Sequence, residues 1–289
     1  MTTIRANLLY GVMWVLTLPP LLLLYPIARI LSWLLHRIIK YRLDIIRNNL
    51  MKSFPEKSGE DLLAIESEYY KWLGRLLIES FKVVHWNPDR IARRIKIINP
   101  EILEHYANES QDIIILAGHT GNWEWSPGCI CPLGFDVLGV YKPQSSKTFD
   151  RLVRRIRQKK QVHPIPMKAT LRALSSKRNS SRPRALLLIA DQTPAFGDIN
   201  FWQDFLHQDT AWFTGAEKLA GRYGLPVLYL KMTQEKPGFY NCEYLPISEG
   251  EKDLESGQQT SFFIHALEHT IKNNPPYWLW SHRRWKHQR

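Results

Sequence analysis

Cysteine is scarce in this chain. Cys129, Cys131 and Cys242 are the only three among 289 residues, too few and too scattered for a disulfide framework or a four-ligand zinc site. Cys129 and Cys131 stand two apart in an apolar run and read as buried structural residues, consistent with a reducing compartment. His36, His85, His105, His163 and His207 show no ligand spacing, so no metal is expected. There is no G-x-S-x-G nucleophile elbow and no internal repeat. A mean hydropathy of −0.31 excludes a polytopic membrane protein. With 44% hydrophobic and 23% charged residues the chain is not disordered and has material for a sizeable core. Its length fits either two domains of about 150 residues or one α/β domain with attachments.

Acidic residues are nearly missing from one segment. Residues 142–184 hold fourteen Lys/Arg and a single acid, Asp150, in a chain whose formal charge is +12. The rest is close to neutral, so the basic excess is local and implies a local anionic partner: phosphate-bearing lipid, membrane surface, acidic protein or nucleic acid. Phe149 is the only aromatic in that segment, so it lacks the stacking platform for single-stranded nucleic acid, and no nucleic-acid partner is expected.

Leu8 to Ala28 is a 21-residue run without a charge, about the length that spans a bilayer as a helix. It is longer than the apolar region of a cleaved signal peptide and lacks an A-x-A ending. Pro19, Pro20 and Pro26 would kink it, which leaves open a re-entrant or interfacial anchor. Arg5 alone precedes the run, whereas Arg29, Arg37, Lys40, Arg42 and Arg47 follow it. The positive-inside rule then puts the C-terminal bulk in the cytoplasm. Trp14 and Trp33 are spaced to lie near opposite ends of this anchor.

The expected organisation is an anchor over 1–42, a helical segment packing on the core over 43–95, and an α/β core over 96–289. Apolar residues recur at three- and four-residue steps before Val84, the mark of an amphipathic helix. Beyond residue 96, apolar runs at 112–118, 135–142, 184–192, 225–232 and 239–247 alternate with helical stretches near 123–131, 146–160, 168–177, 212–223 and 258–273. Near-continuously apolar strands between helices predict an α/β fold with a mainly parallel central sheet flanked by helices. Ser175–Ser181 reads as an exposed loop.

In such sheets chemistry gathers at the C-terminal ends of strands. The first strong strand ends in Gly118-His119-Thr120-Gly121-Asn122-Trp123-Glu124. On one regular helix, His119 and Glu124 would lie about 140° apart. With His119 in the turn and Glu124 in the first helical turn they could face each other, and a carboxylate would then fix the imidazole tautomer and leave the other nitrogen as a base. The other reading of these residues is a turn-capping histidine and a glutamate favouring a helix N-terminus.

The G-H-x-G-N-W-E block after an apolar strand resembles the His-x4-acid signature of glycerolipid-type acyltransferases, in the His-x4-Glu form of the bacterial lipid A biosynthesis (lauroyl/myristoyl) acyltransferases. Other segments resemble that family in order: the anchor, Arg47-Asn48-Asn49-Leu50, Ser53-Phe54-Pro55, Tyr141-Lys142-Pro143, Asp191-Gln192, and Trp280-Ser281-His282-Arg283-Arg284-Trp285-Lys286. The likeness covers nearly the whole chain. Lys142 stands where the family usually has arginine, keeping the charge and losing the bidentate fork. The Phe-Pro-Glu-Gly-Thr block of glycerol-phosphate acyltransferases is absent.

The resemblance implies a membrane enzyme that moves a fatty acyl chain from an acyl carrier protein thioester to a hydroxyl of a phosphorylated lipid A precursor. His119 would be the general base and Glu124 its orienting acid. Backbone N–H groups around Gly121 and Asn122 would stabilise the oxyanion. Lys142, Asp191, Gln192, Arg283 and Arg284 are the substrate-binding candidates, with no cofactor. Two alternatives remain at this stage: another lipid acceptor, such as an aminoacyl lipid or glycolipid, and a non-catalytic basic protein tethered to the membrane.

Overall fold

A computed structural model describes residues 2–143, 145–159, 161–176, 181–251, 255–287 and 289. Nine strands run in chain order among these residues: β1 (Ile95–Ile97), β2 (Ile113–Ala117), β3 (Asp136–Tyr141), β4 (Val162–Pro166), β5 (Arg184–Ile189), β6 (Phe201–Phe205), β7 (Gln208–Trp212), β8 (Val227–Lys236) and β9 (Phe239–Ser248). Seven of them form one sheet in the order β1-β9-β8-β2-β5-β3-β4. Every pairing in it is parallel except β8 with β9. The α/β class and the mainly parallel sheet follow as expected.

The helices are α1 (Thr2–Leu16), α2 (Leu21–Trp33), α3 (Leu43–Ser53), α4 (Gly59–Lys82), α5 (Pro88–Ala92), α6 (Pro100–Asn108), α7 (Pro127–Ile130), α8 (Lys147–Lys159), α9 (Thr170–Ser175), α10 (Gly215–Tyr223) and α11 (Gln258–Asn273). Both faces of the sheet are covered. On β2, Ile113, Ile115 and Ala117 enter one apolar core, while Ile114 and Leu116 enter the other. That two-sided burial is why the strand reads as an unbroken apolar run. Helices α3 and α4 supply Ile46, Leu50, Trp72, Leu73 and Leu76 to the second core, so residues 43–95 are built into the body. Ser58 opens α4 with a capping box, taking the Asp61 N–H at 3.1 Å while Asp61 takes the Ser58 N–H at 3.2 Å.

Several elements differ from the sequence reading, β1, β4, β6 and β7 among them. β4 contains Pro164 and Pro166, which argue against a strand. It survives because it is the sheet's edge, where a missing N–H costs no ladder bond. β9 pairs antiparallel because Pro237-Gly238 turns the chain straight back from β8, with Gly238 at φ +74°. The expected helix from 212 begins at Gly215, since 208–212 pairs with 201–205 in a separate hairpin. The expected loop at 175–181 falls mainly on 177–180, outside the described residues.

The expected single anchor over 8–28 is two helices. Pro19 and Pro20 lack the N–H groups that would continue α1, and the carbonyls of the link between α1 and α2 are satisfied from outside it. The buried Lys82 ammonium donates to the carbonyls of Thr17 (2.5 Å), Leu18 (3.1 Å) and Pro19 (2.8 Å). The stretch long and apolar enough to cross a membrane, by length and composition, is Leu21–Ile38. One face of α2 (Leu21, Leu24, Ala28, Ser32) is buried and lies along α4. There Gly74 permits the contact: a Cβ at that position would meet the Ser32 hydroxyl at 2.1 Å. The opposite face exposes Leu22, Leu23, Ile27 and Ile30.

Candidate active site

β2 and β5 are neighbours with Ala117 opposite Ile189. Two residues beyond that pair the chains still lie side by side, which brings His119 to Asp191. The His119 ring Nδ1 is 2.5 Å from Asp191 Oδ1, the His119 backbone N–H donates to Oδ2 at 2.7 Å, and the Trp278 indole N–H donates to the same oxygen at 2.7 Å. Gly118 leaves room for this approach, since a Cβ there would meet Leu267 at 2.5 Å and Asp191 Oδ2 at 3.2 Å. Burial opposes ionisation of Asp191, but the charge and hydrogen bonds of His119 and the Trp278 N–H outweigh it and hold the carboxyl at about 2. A carboxylate held down in the folded state contributes stability above the ordinary carboxylate value near 4 and loses it as pH falls through about 2. Asp191 is therefore an anion throughout the neutral range.

An ionised Asp191 accepts the Nδ1 proton, which leaves the Nε2 lone pair of His119 available. Nε2 lies 3.2 Å from the Gln192 amide nitrogen, whose N–H points its donor at that lone pair. The ring is partly open, 13% exposed, over a carboxylate that is 1% exposed. The imidazole thus has a fixed tautomer and an ionised partner behind it.

The expected partner of His119 was Glu124, and here the structure corrects the sequence reading: the carboxylate on the ring is Asp191. Residues 123–125 form a 3₁₀ turn in place of the first turn of an α-helix. That turn lays the Trp123 ring edge-on against His119, centroids 4.8 Å apart. Glu124 instead pairs with Arg157 of α8 at 2.9 Å. The pairing with Glu124 raises the Arg157 value against the opposing pull of burial, so the guanidinium stays charged.

The Gly121 N–H and the Asn122 side-chain amide are both engaged within the protein. Gly121, at φ +57°, donates its N–H to the Tyr277 carbonyl (3.1 Å) and accepts at its own carbonyl from Trp72. The fully buried Asn122 gives its amide to Glu79 at 2.8 Å. Arg284 is also misplaced for a ligand: it is 1% exposed, lies 4.2 Å over the Trp212 ring and donates to the Ala211 carbonyl. Arg283 is exposed on the C-terminal segment, and Lys142 is exposed just past the end of β3, beside β5.

A mostly apolar cleft of about 380 Å³ is lined by Trp123, the ring that packs on His119, although His119 and Asp191 themselves do not line it. Leu73, Leu76, Leu77 and Phe81 of α4 form one wall, and Phe149, Val153 and Ile156 of α8 the other. Trp123, Glu124, Arg157, Arg42 and His282 are also in its lining. A hollow of about 540 Å³ on the other side of α8 is lined by Pro143, Lys147, Asp150, Arg151, Arg154, Arg155 and Gln158.

The sequence model of the bacterial lipid A biosynthesis acyltransferases matches residues 2–287. This chain belongs to that family. Over 277 residues it is 22% identical to the lipid A biosynthesis palmitoleoyltransferase of Escherichia coli K12, and equally to the lipid A biosynthesis acyltransferase of Shigella flexneri. It is 24% identical over 289 residues to the lipid A biosynthesis lauroyltransferase of Escherichia coli K12. Each comparison covers 96% of this chain and 89% of the relative. The protein is an acyltransferase.

In this acyltransferase the family-like segments far apart in sequence are latched together behind the site. Asn49 donates to the carbonyls of Trp280 (2.9 Å) and His282 (3.0 Å), and Arg42 to that of Ser281 (2.8 Å). Arg47 is itself held by the buried Glu66. The Arg-Asn-Asn block thus fixes the C-terminal segment that carries Trp278 and His282. Three contributors escaped the sequence reading: Trp278, Arg157 and the cleft-lining role of His282. Trp278 carried no signal beyond an aromatic run, while Arg157 was hidden in a basic helix.

Burial pushes His282 down to about 4, helped by the charges of His119, Arg284 and Arg42 and opposed by Asp191. Such a histidine binds its proton more readily once the chain unfolds. Its contribution to stability is therefore complete above about 6.5 and declines as pH falls toward 4, by at most about 1.4 kcal/mol per pH unit. Thermal denaturation between pH 7 and 4.5 is expected to show this decline, and His282→Gln to flatten it.

Proposed function

We propose that this acyltransferase moves a fatty acyl chain from an acyl carrier protein thioester to a hydroxyl group of a phosphorylated lipid A precursor, adding a secondary chain. His119 is the general base, worth typically about 10²–10⁴-fold when well placed, and Asp191 orients it. The observation that carries this reading is the His119–Asp191 pair, which turns an unprotonated Nε2 toward the Gln192 amide, with Trp123 on the ring also lining an apolar cleft. The hydroxyl gives its proton to Nε2 as its oxygen attacks the thioester carbonyl, and the same proton leaves on the thiolate. No covalent acyl-enzyme is needed. The cleft receives an acyl chain. The basic hollow on α8 receives phosphate or the acidic face of the carrier protein.

The exposed faces of α1 and α2 seat the protein on the cytoplasmic side of an inner membrane. Since α2 is packed along α4, the reading supported best is a hairpin embedded from one side with the catalytic body at the surface. Leu22 and Leu23 are 78% and 63% exposed. Replacing both with glutamate removes about 3 kcal/mol or more of apolar insertion, roughly 100-fold in partitioning. Vesicle flotation with anionic liposomes measures it, and unchanged flotation would reject this seat.

The functional test uses purified protein in detergent with a panel of acyl carrier protein thioesters and a tetra-acylated lipid A precursor, read by mass spectrometry. An added acyl chain with wild type, lost in His119→Ala, is the expected result. Thioester hydrolysis that depends on His119, with no acylated lipid, would reject the acceptor and keep the base. Turnover independent of His119 would reject the mechanism.

A further inference from the structure

His282 has two nitrogens in different situations. Nε2 lies 3.2 Å from the Thr193 backbone N–H, which donates to it, and 3.3 Å from the Thr193 hydroxyl. That hydroxyl spends its own proton on the Arg284 carbonyl at 2.6 Å, so the contact at Nε2 comes from the backbone donor. An acceptor at Nε2 puts the ring proton on Nδ1. Nδ1 has no partner among the described residues and is not among the enclosed polar atoms that lack one, while the ring lines the cleft. The backbone beneath it is pinned: Asn49 donates to the His282 carbonyl, Arg42 to that of Ser281, and the His282 N–H bonds Leu279 at 3.1 Å. The site therefore holds a rigid, open N–H donor on a neutral ring. The backbone donor expected of Gly121 is already spent on the Tyr277 carbonyl.

We propose that the Nδ1–H of His282 donates to the thioester carbonyl oxygen as it becomes an oxyanion, making His282 a second catalytic residue. This rests on the acyl-transfer reading above. As the acceptor oxygen bonds to the carbonyl carbon, its proton passes to His119 Nε2 and the carbonyl π pair moves onto oxygen. His282 stabilises that charge and keeps its own proton. Collapse restores the carbonyl, breaks the carbon–sulfur bond and returns the His119 proton to the thiolate. A neutral imidazole suits this task because it donates without becoming a competing acid; burial, which keeps the ring unprotonated, serves the same end.

Two isosteric variants separate this role from a structural one. Gln at 282 places a carbonyl where Nε2 was, keeping an acceptor for Thr193, but has no donor at Nδ1. Asn places an amide N–H near Nδ1 and gives up Thr193. With the lauroyl thioester of acyl carrier protein and a tetra-acylated lipid A precursor, His282→Gln should lower kcat by about 10²–10³-fold, the usual loss of one oxyanion donor, with KM little changed. His282→Asn should recover about tenfold of that loss. A purely structural histidine would give the reverse order, Gln better than Asn, and that order would overturn the proposal. So would a His282→Gln kcat within about threefold of wild type. Wild type and His119→Ala run beside them: no transfer by wild type would fail the acyl-transfer reading itself, whereas His119-dependent transfer that His282→Gln leaves intact fails the His282 proposal alone.

Discussion

Asp191→Asn is expected to lower kcat by about 10³–10⁴-fold while leaving the protein folded, the scale seen when a base is locked in the wrong tautomer. The surroundings dictate which way the amide faces. Oδ2 of Asp191 receives two N–H donors, from the His119 backbone and Trp278. In the variant the amide oxygen must stay with those donors, so the NH₂ faces His119 Nδ1. Nδ1 then becomes the acceptor, the ring proton moves to Nε2, and the lone pair that receives the acceptor proton is gone. Steady-state transfer with an acyl carrier protein thioester and the lipid precursor measures the loss, with thermal denaturation as the check on folding. A kcat within tenfold of wild type would remove Asp191 from the mechanism. Glu124→Gln acts elsewhere: it breaks the ion pair with Arg157 and leaves the His119 tautomer in place.

Glu79→Ala carries the largest expected effect on stability. Glu79 is fully buried, and it accepts from Tyr240 (2.5 Å) and Asn122 (2.8 Å) at Oε2 and from Tyr25 (3.1 Å) at Oε1. Burial raises its own value, and those hydrogen bonds oppose the rise. One carboxyl thus joins α2, α4, the turn after β2, and β9. Alanine leaves the buried Asn122 and Tyr240 donors and the half-buried Tyr25 hydroxyl without their acceptor, at a cost of about 3–5 kcal/mol. For a chain of this size that lowers Tm by roughly 6–15 °C, measured by thermal denaturation in detergent. Glu79→Gln should recover most of it: an amide oxygen in the Oε2 position keeps Tyr240 and Asn122, and the Tyr25 hydroxyl can turn to accept from the NH₂. A shift below about 3 °C in the alanine variant would show that water or a repacked turn satisfies these groups.

Much of this fold is legible in the chain because strands buried on both faces must be apolar throughout. The five expected apolar runs coincide with β2, β3, β5, β8 and β9. The elements that escaped are those whose sequence contradicts their state or is too short to show a pattern. β1 has three residues, and β4 has two prolines that only an edge position tolerates. The 8–28 run concealed a break whose exposed carbonyls are satisfied by Lys82, more than sixty residues away. No local pattern encodes that bond.

At the site, the sequence by itself determined the position of the candidate histidine, His119, at the end of an apolar strand between two glycines, and the presence of an acid at the end of another strand, Asp191. It also determined the family, through motifs spread over almost the whole chain. Only the tertiary structure decided which acid meets that histidine. β5 is inserted beside β2 although β3 and β4 intervene in the chain, and the register of that pair brings residues 119 and 191 together. Glu124, five residues from the base, is turned by a 3₁₀ step toward α8. Proximity in sequence fixes direction only within one regular element; between elements, strand order and register choose the neighbours, and these are set by burying both faces of the sheet at once.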